Sequence, residues 1–190
     1  MKKIGEVMRV ITGTAKGRKL KALEGNEVRP TTERVKEAIF SIIQFETEGR
    51  LFLDLFAGSG QMGIEALSRG AKGAVFVDER RESVNIIRQN LQSTKLENHA
   101  QLLLMDAFSY IRRNHAEKFD IAFLDPPYTT GILQEILPLV TENMKKTGVI
   151  ICESPVFEEI PEKINHFTLD RNYRYGKIMV SVYRCEEVVD

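Results

Sequence analysis

From residue 51 to residue 152, short runs that are almost wholly apolar alternate with longer segments of helical periodicity. Period-2 and continuous apolar runs make strands, and period-3.6 runs make helices. The pattern predicts strands at 51–55, 73–77, 101–105, 119–124 and 148–152, with a later one at 177–183. It predicts helices at 60–69, 80–93, 107–115 and 130–144, with a short one near 157–163. Runs such as Phe119–Asp125 and Gly148–Glu153 are too apolar to face water on either side, as in sheets covered by helices on both faces. The fold class is therefore α/β, a doubly wound and mostly parallel sheet. Ligands of such sheets bind beyond the carboxyl ends of the strands. The loops after 55, 77, 105 and 124 are the places to look.

Ahead of this pattern, residues 7–13 and 19–23 flank Gly13-Thr14-Ala15-Lys16-Gly17 and predict a small β-hairpin. Pro30-Thr31-Thr32-Glu33 then opens a helix whose apolar face is Val35, Ala38, Ile39, Ile42 and Ile43. We divide the chain into a basic arm with a hairpin, residues 1–30, and a main domain, residues 31–190.

The first of the four loops contains Gly58-Ser59-Gly60-Gln61-Met62-Gly63, a match to G-x-G-x-x-G, with Asp78 twenty residues after Gly58. By spacing alone this is a dinucleotide fingerprint. The strand ends argue otherwise. Asp54, Asp78, Asp106 and Asp125 all fall where a strand gives way to its loop. A pyrophosphate prefers backbone N–H groups and positive charge. A carboxylate at Asp54 suits a cationic ligand better. At 4 Å and an effective dielectric near 20, such a pair gains about 4 kcal/mol before desolvation costs. S-adenosylmethionine carries a sulfonium and an ammonium and no phosphate. Asp78 accepts from ribose hydroxyls in either reading, and Asp106 caps a helix or accepts from an adenine amino group.

Asp125-Pro126-Pro127-Tyr128 follows the apolar run Ile121–Leu124. Consecutive prolines make a turn in any protein. Beside an acidic glycine loop they do more. They fix φ and remove two donors, so the loop presents carbonyls rigidly. An exocyclic base amine is a poor nucleophile because its lone pair is conjugated with the ring. Accepting from its N–H groups at Asp125 and a proline carbonyl favours a pyramidal nitrogen, and Tyr128 offers a face on which a base can stack, worth about 1–3 kcal/mol.

Net charge is zero, from 27 basic and 27 acidic residues, but residues 1–36 hold ten basic and four acidic ones. A +6 segment on an acidic body is a polyanion contact or a solvated charge run. Two cysteines, Cys152 and Cys185, define neither a zinc nor a disulfide framework, so no metal is expected. No apolar run reaches the roughly 18 residues of a membrane span, and no secretory signal is visible. The reading is cytoplasmic.

With these residues in place, the chain resembles the bacterial 16S rRNA guanine-N2 methyltransferases, the small-subunit methyltransferase D family of class I S-adenosylmethionine-dependent enzymes. The matching stretches are Arg9–Gly13 with Lys16–Leu20, Arg29–Thr32 with Arg34–Glu37, Asp54–Gly60, Glu65–Ala71 and Asp125–Tyr128. The resemblance implies a seven-stranded Rossmann-like sheet with a reversed last hairpin. It implies transfer of a methyl group from S-adenosylmethionine to N2 of guanine 966 of 16S rRNA, within a small-subunit particle. Carried over by position, Asp54, Phe56, Ala57, Gly58, Ser59 and Gly60 line the methionine end of the cofactor. Asp78 faces the ribose, and Asp106 with Ala107 faces the adenine. Arg29, Pro30, Thr31 and Thr32 close over it, and Asp125, Pro126, Pro127 and Tyr128 hold the target base. Arg9, Lys16, Arg18, Lys19 and Arg34 are the RNA-binding set. Gln61-Met62 departs from the small or aliphatic residues usual there, and Met1–Val7 precedes the family's usual start near Met8. A monomer is the default. The competing readings are an adenine N6 acceptor, a noncatalytic RNA-binding assembly factor, and an NAD-dependent oxidoreductase that would leave Asp54 and the Asp125–Tyr128 loop as coincidences.

Overall fold

Strand β1, Leu51–Asp54, sits inside the sheet, hydrogen-bonded on one side to β2, Gly73–Asp78, and on the other to β4, Phe119–Leu124. Both pairings are parallel, and every residue of β1 and β4 is buried, as the apolar runs require. The computed structural model describes residues 8–23, 32–113, 118–128 and 131–185. In it β3, Ala100–Leu104, pairs parallel with β2, and β5, Met144–Pro155, pairs parallel with β4. Then the direction reverses. β8, Ile178–Cys185, lies antiparallel between β5 and β7, Phe167–Tyr175. With β6 at Lys163–Ile164, the strand order is β3-β2-β1-β4-β5-β8-β7-β6.

The sheet thus has eight strands rather than the expected seven. The extra one is β6, Lys163–Ile164, a two-residue edge strand against β7. β7 itself carries no apolar run, and the helix expected near 157–163 does not form. The chain there turns at Val156-Phe157 and runs without regular structure through Pro161 into β6.

Helices cover both faces. α1, Glu33–Ile42, α2, Gln61–Ser68, and α3, Arg81–Thr94, pack on one face around Phe40, Phe52, Phe76 and Ile87. α4, Ala107–Arg113, and α5, Ile132–Glu142, pack on the other around Leu53, Ala122, Ile136 and Tyr183. Gly63 sets the spacing of α2 on the sheet. A Cβ there would lie 2.3 Å from Phe76 Cε1, so the third glycine of the motif is needed for helix–strand contact.

Of the expected hairpin, the antiparallel core is one bridge, Arg9 with Lys19, with Val10 N–H donating to the Arg18 carbonyl (2.9 Å) and Leu20 N–H to that of Met8 (2.8 Å). The segment is held by side chains of the helices beneath it. Met8, Val10, Ala15 and Leu20 join the core of the α1–α3 face. The Glu65 carboxylate accepts from Ile11 N–H (2.7 Å) and Thr12 N–H (3.0 Å) and is paired with Arg69 at 2.8 Å. Ser68 accepts from Thr14 and Ala15 and donates to the Thr12 carbonyl. Gly13, at φ +87°, is the only residue type that fits, because a Cβ would fall 1.7 Å from the Ser68 carbonyl oxygen. Lys36 is fully buried and donates to the Arg9 carbonyl at 2.7 Å. Burial pushes its ammonium below the ordinary lysine range, while the charges of Glu65 and Glu33 oppose this.

Candidate active site

At the carboxyl ends of β1, β2, β3 and β4 the structure opens a cavity of about 480 Å³. That lies within the range of small-molecule sites, roughly 300–1,000 Å³. The four strand-end aspartates, Asp54, Asp78, Asp106 and Asp125, all contribute to its wall. So do Phe56, Ala57, Gly58, Ser59 and Ala107, and, from the loop after β4, Pro126, Pro127 and Tyr128. The glycine loop and the Asp125–Tyr128 loop therefore face one space.

Each aspartate is held differently. Asp54 is 1% exposed, and its carboxylate accepts from Gly63 N–H at 3.0 Å. Burial pushes its pKa up to about 7, the Asp78 charge adds to this, and the Gly63 hydrogen bond opposes it. Asp54 is thus not the plainly charged group that the sequence suggested. It holds its proton far more readily than an exposed carboxyl, and a cation in the cavity would draw it to the charged form. Asp78 accepts from Gly58 N–H (2.8 Å) and Arg80 N–H (2.9 Å), with the Arg80 guanidinium at 3.5 Å. A carboxylate has about four acceptor sites, so capacity toward the cavity remains. Asp106 caps α4, accepting from Ser109 N–H at 2.9 Å. The bonds from Ser109 hold it below the ordinary carboxylate range. It still borders the cavity, so cap and ligand readings are compatible.

The glycine loop owes its shape to two residues in the left-handed region, Gly58 at φ +53° and Gly60 at φ +74°. Gly60 forms the N-terminal boundary of α2, packed against Ile87, and does not line the cavity. Thr32 does not line it either. Its hydroxyl caps α1, accepting from Val35 N–H at 3.3 Å. Arg29, Pro30 and Thr31 lie outside the described residues.

In the loop after β4 Pro126 is buried, while Pro127 and Tyr128 are exposed at the mouth. The Tyr128 hydroxyl donates to Glu153 Oε1 at 3.4 Å. Glu153, at the end of β5, is 1% exposed and was not singled out from sequence. Ala22 and Leu23 from the arm also reach the wall, as do Phe108 and Phe123. Asn90 of α3 joins the arm to the glycine loop. Its side chain accepts from Lys21 N–H (2.7 Å) and donates to the carbonyls of Lys21 (3.0 Å) and Ser59 (2.9 Å).

Lys16, Arg18, Lys19 and Arg34 are exposed. Arg9 is exposed too but paired with Glu33 at 3.1 Å. Cys152 is buried, and burial pushes its thiol well above the usual range, which leaves it inert. Among the described residues no cluster of three or more His, Cys, Asp or Glu side chains forms a metal site, and no helix is long and apolar enough to cross a membrane.

Residues 8–184 match the family described as conserved hypothetical protein 95. The chain is 40% identical over 181 residues to YlbH of Bacillus subtilis, named as a candidate rRNA methyltransferase, covering 93% of this chain and 98% of that one. It is 33% identical over 181 residues to ribosomal RNA small subunit methyltransferase D of Escherichia coli K12, covering 94% and 90%. Among solved structures, yhhF of Escherichia coli, described as a candidate methyltransferase, superposes with a TM-score of 0.84 at 32% identity, covering 94% of this chain and 98% of that one.

Proposed function

The chain belongs to the small-subunit rRNA methyltransferase D family of class I S-adenosylmethionine-dependent methyltransferases, and on that premise we propose that it methylates the exocyclic N2 of one guanine, position 966, in 16S rRNA. The observation that carries the reading is the single cavity shared by the glycine loop and the Asp125–Tyr128 loop.

The wall fits the cofactor. Asp78 keeps acceptor capacity for two ribose hydroxyls, and Phe56, Ala107 and Phe108 give apolar surface for an adenine. Gly58 leaves open space, because a Cβ there would meet no atom nearer than the Phe56 carbonyl oxygen at 4.0 Å. Asp54 answers an ammonium by giving up its proton. S-adenosylmethionine, when bound, supplies a methyl group made electrophilic by its sulfonium. The chain's own task is to present the amine. Asp125 and the Pro126 carbonyl, at the end of β4, accept from the amine's two N–H groups and turn its lone pair toward the cofactor side. Tyr128, steered through its hydroxyl by Glu153, stacks on the base. Catalysis is then chiefly positioning. A base in structured RNA must be flipped out to reach this mouth, at a cost of a few kcal/mol.

In this reading residues 1–30 are the RNA-contacting arm and residues 31–190 the methyltransferase domain. Arg29, Pro30 and Thr31 close the cofactor side, with Thr32 capping the helix that follows, and Arg9, Lys16, Arg18, Lys19 and Arg34 meet phosphates. The substrate is a small-subunit particle, the protein acts in the cytoplasm, and it acts as a monomer.

The test is methyl transfer from radiolabelled S-adenosylmethionine to small ribosomal subunits from cells lacking this gene, followed by nucleoside analysis. N2-methylguanosine at one site is the expected product. Label in methyladenosine would overturn the acceptor, and cofactor binding without any label in RNA would point to a noncatalytic factor.

A further inference from the structure

The segment Arg171-Asn172-Tyr173-Arg174-Tyr175-Gly176-Lys177 holds three cations, two tyrosines and no acid. It forms the end of β7 and the two-residue turn into β8, with Gly176 at φ +64°. β8 is antiparallel to both β5 and β7, so β7 ends on the same rim as β5. The register is explicit, Pro155 opposite Ile178 and Ile178 opposite Tyr175. Val156 N–H donates to the Lys177 carbonyl at 3.1 Å and ties the turn to the end of β5. Phe157 follows immediately, 74% exposed. Three strand spacings separate β4 from β7, about 14 Å across the rim. The hairpin tip and Phe157 therefore lie beside the mouth marked by Tyr128, on the side away from the arm's Ala22 and Leu23.

The local chemistry is that of a single-strand nucleic-acid platform, aromatic faces interleaved with cations. Tyr173 and Tyr175 are half-buried against the core of the α1–α3 face, so their rings are fixed. Arg174 Nε donates to the Gly176 carbonyl at 3.1 Å, which holds an exposed guanidinium at the tip. Arg171 and Lys177 are exposed and have no carboxylate in ion-pair range among the described residues. Of the neighbouring acids, Glu159 is exposed beside Phe157, and the other two have partners. Asp170 is paired with Arg184 at 3.5 Å, and Glu158 accepts from Gly131 N–H at the start of α5.

We infer that the β7–β8 tip, through Arg174, Tyr175 and Lys177, together with Phe157, is a second RNA-binding element that grips the strand flanking the extruded base. This rests on the rRNA methyltransferase reading above. The arm and the tip then hold the RNA from two sides of one mouth, which the arm alone would not do.

The experiment compares the full chain with Arg174→Ala/Lys177→Ala and with Phe157→Ser and Phe157→Tyr. Affinity for a labelled single-stranded RNA of about 12 nucleotides is measured against salt, within the site sizes such surfaces occupy. S-adenosylhomocysteine affinity and melting are measured alongside. The double variant should lose affinity several-fold and lower the salt slope by about 1.4, at about 0.7 per single-strand phosphate contact. Phe157→Ser should weaken binding roughly tenfold and Phe157→Tyr should restore it. Cofactor affinity and melting should not change. Unchanged RNA affinity and slope in variants of a wild type that binds and methylates RNA would overturn this inference alone. Failure of the wild type to bind RNA would overturn it together with the function. Normal binding of the free RNA with lost methylation of the particle would assign the tip to a ribosomal protein and overturn it as an RNA element.

Discussion

Replacing Asp54 with Asn should make the ligand-free protein more stable at alkaline pH while harming its use of cofactor. The folded carboxyl titrates at about 7 against an ordinary 3.8. Three units at 1.36 kcal/mol each come to about 4 kcal/mol. Because the pKa is raised, the folded state keeps a proton that the unfolded chain has shed. The stabilising contribution is complete below pH 3.8 and is lost as pH rises through 7. Between pH 5 and pH 7 this amounts to about 2 kcal/mol of falling stability, or roughly 4–8 °C in Tm for a domain of this size. Asn cannot ionise, and its side-chain oxygen can still accept from Gly63 N–H. The variant should therefore overtake the wild type as pH rises, by up to about 4 kcal/mol at pH 8 less whatever the amide costs. Urea melts of both proteins at pH 5, 6, 7 and 8 measure the gap. The subtraction removes Glu158, whose carboxyl burial also pushes up. Asp106, held down by its Ser109 bonds, titrates below the window. Asp120 does too, since the bonds from Leu51, Lys145 and Arg50 outweigh its burial. A gap between the two proteins that does not change with pH would refute the reasoning. A second readout is S-adenosylhomocysteine affinity, which should weaken as pH falls below 7 in the wild type and stay flat in the variant.

Asp125→Ala should abolish methyl transfer and leave S-adenosylhomocysteine affinity within a few-fold by calorimetry; loss of both together would contradict its assignment to the base. Neutralising Lys16, Arg18 and Lys19 together should cut the salt slope of RNA binding by about 2, at about 0.7 per contact. An unchanged slope would remove the arm from the RNA interface. Gly63→Ala places a methyl group 2.3 Å from a fully buried Phe76 ring and should cost about 1–3 kcal/mol in chemical denaturation. An unaltered midpoint would mean that α2 can slide on the sheet freely.

The inner strands, β8 and all five helices could be read from the chain because their residues are buried on predictable faces, while the further helix expected near 157–163 does not form. β6 and β7 could not. β7 runs Phe-Thr-Leu-Asp-Arg-Asn-Tyr-Arg-Tyr, where Arg171 interrupts the alternation and an irregularity between Leu169 and Arg171 turns Phe167 and Leu169 to one face of the sheet and Tyr173 and Tyr175 to the other. β6 is too short to leave a pattern. In the site, spacing brought the four aspartates together correctly, but not their states, because burial of Asp54 depends on α2 folding back over it. The groups that hold the arm were missed although two left a trace. Lys36 lies beside Val35 and Ile39 on an apolar helix face, and Glu65 stands in the run Met62–Leu67, every residue of which is buried. A charge on an apolar face marks a buried partner. Asn90 left no such trace, because an amide on an amphipathic helix is ordinary until its two backbone partners are seen.

The anchoring of the arm also bears on the order in which the chain acquires its structure. The backbone of residues 11–21 is tied to Glu65, Ser68 and Asn90, partners 53 to 69 positions further along. Synthesis delivers the N-terminus first, at about 5–20 residues per second. The first segment to emerge must then wait several seconds for α3 before it can dock. β1 waits similarly for Ile121 of β4, and β5 for Val182 of β8. Nearly every central contact closes a long loop, which slows folding and makes it collective. We expect nascent chains stalled before Asn90 emerges to be cleaved readily by protease within residues 8–23, and the completed chain to resist. Residues 8–23 would then be made before the partners that hold them and be among the last to become ordered.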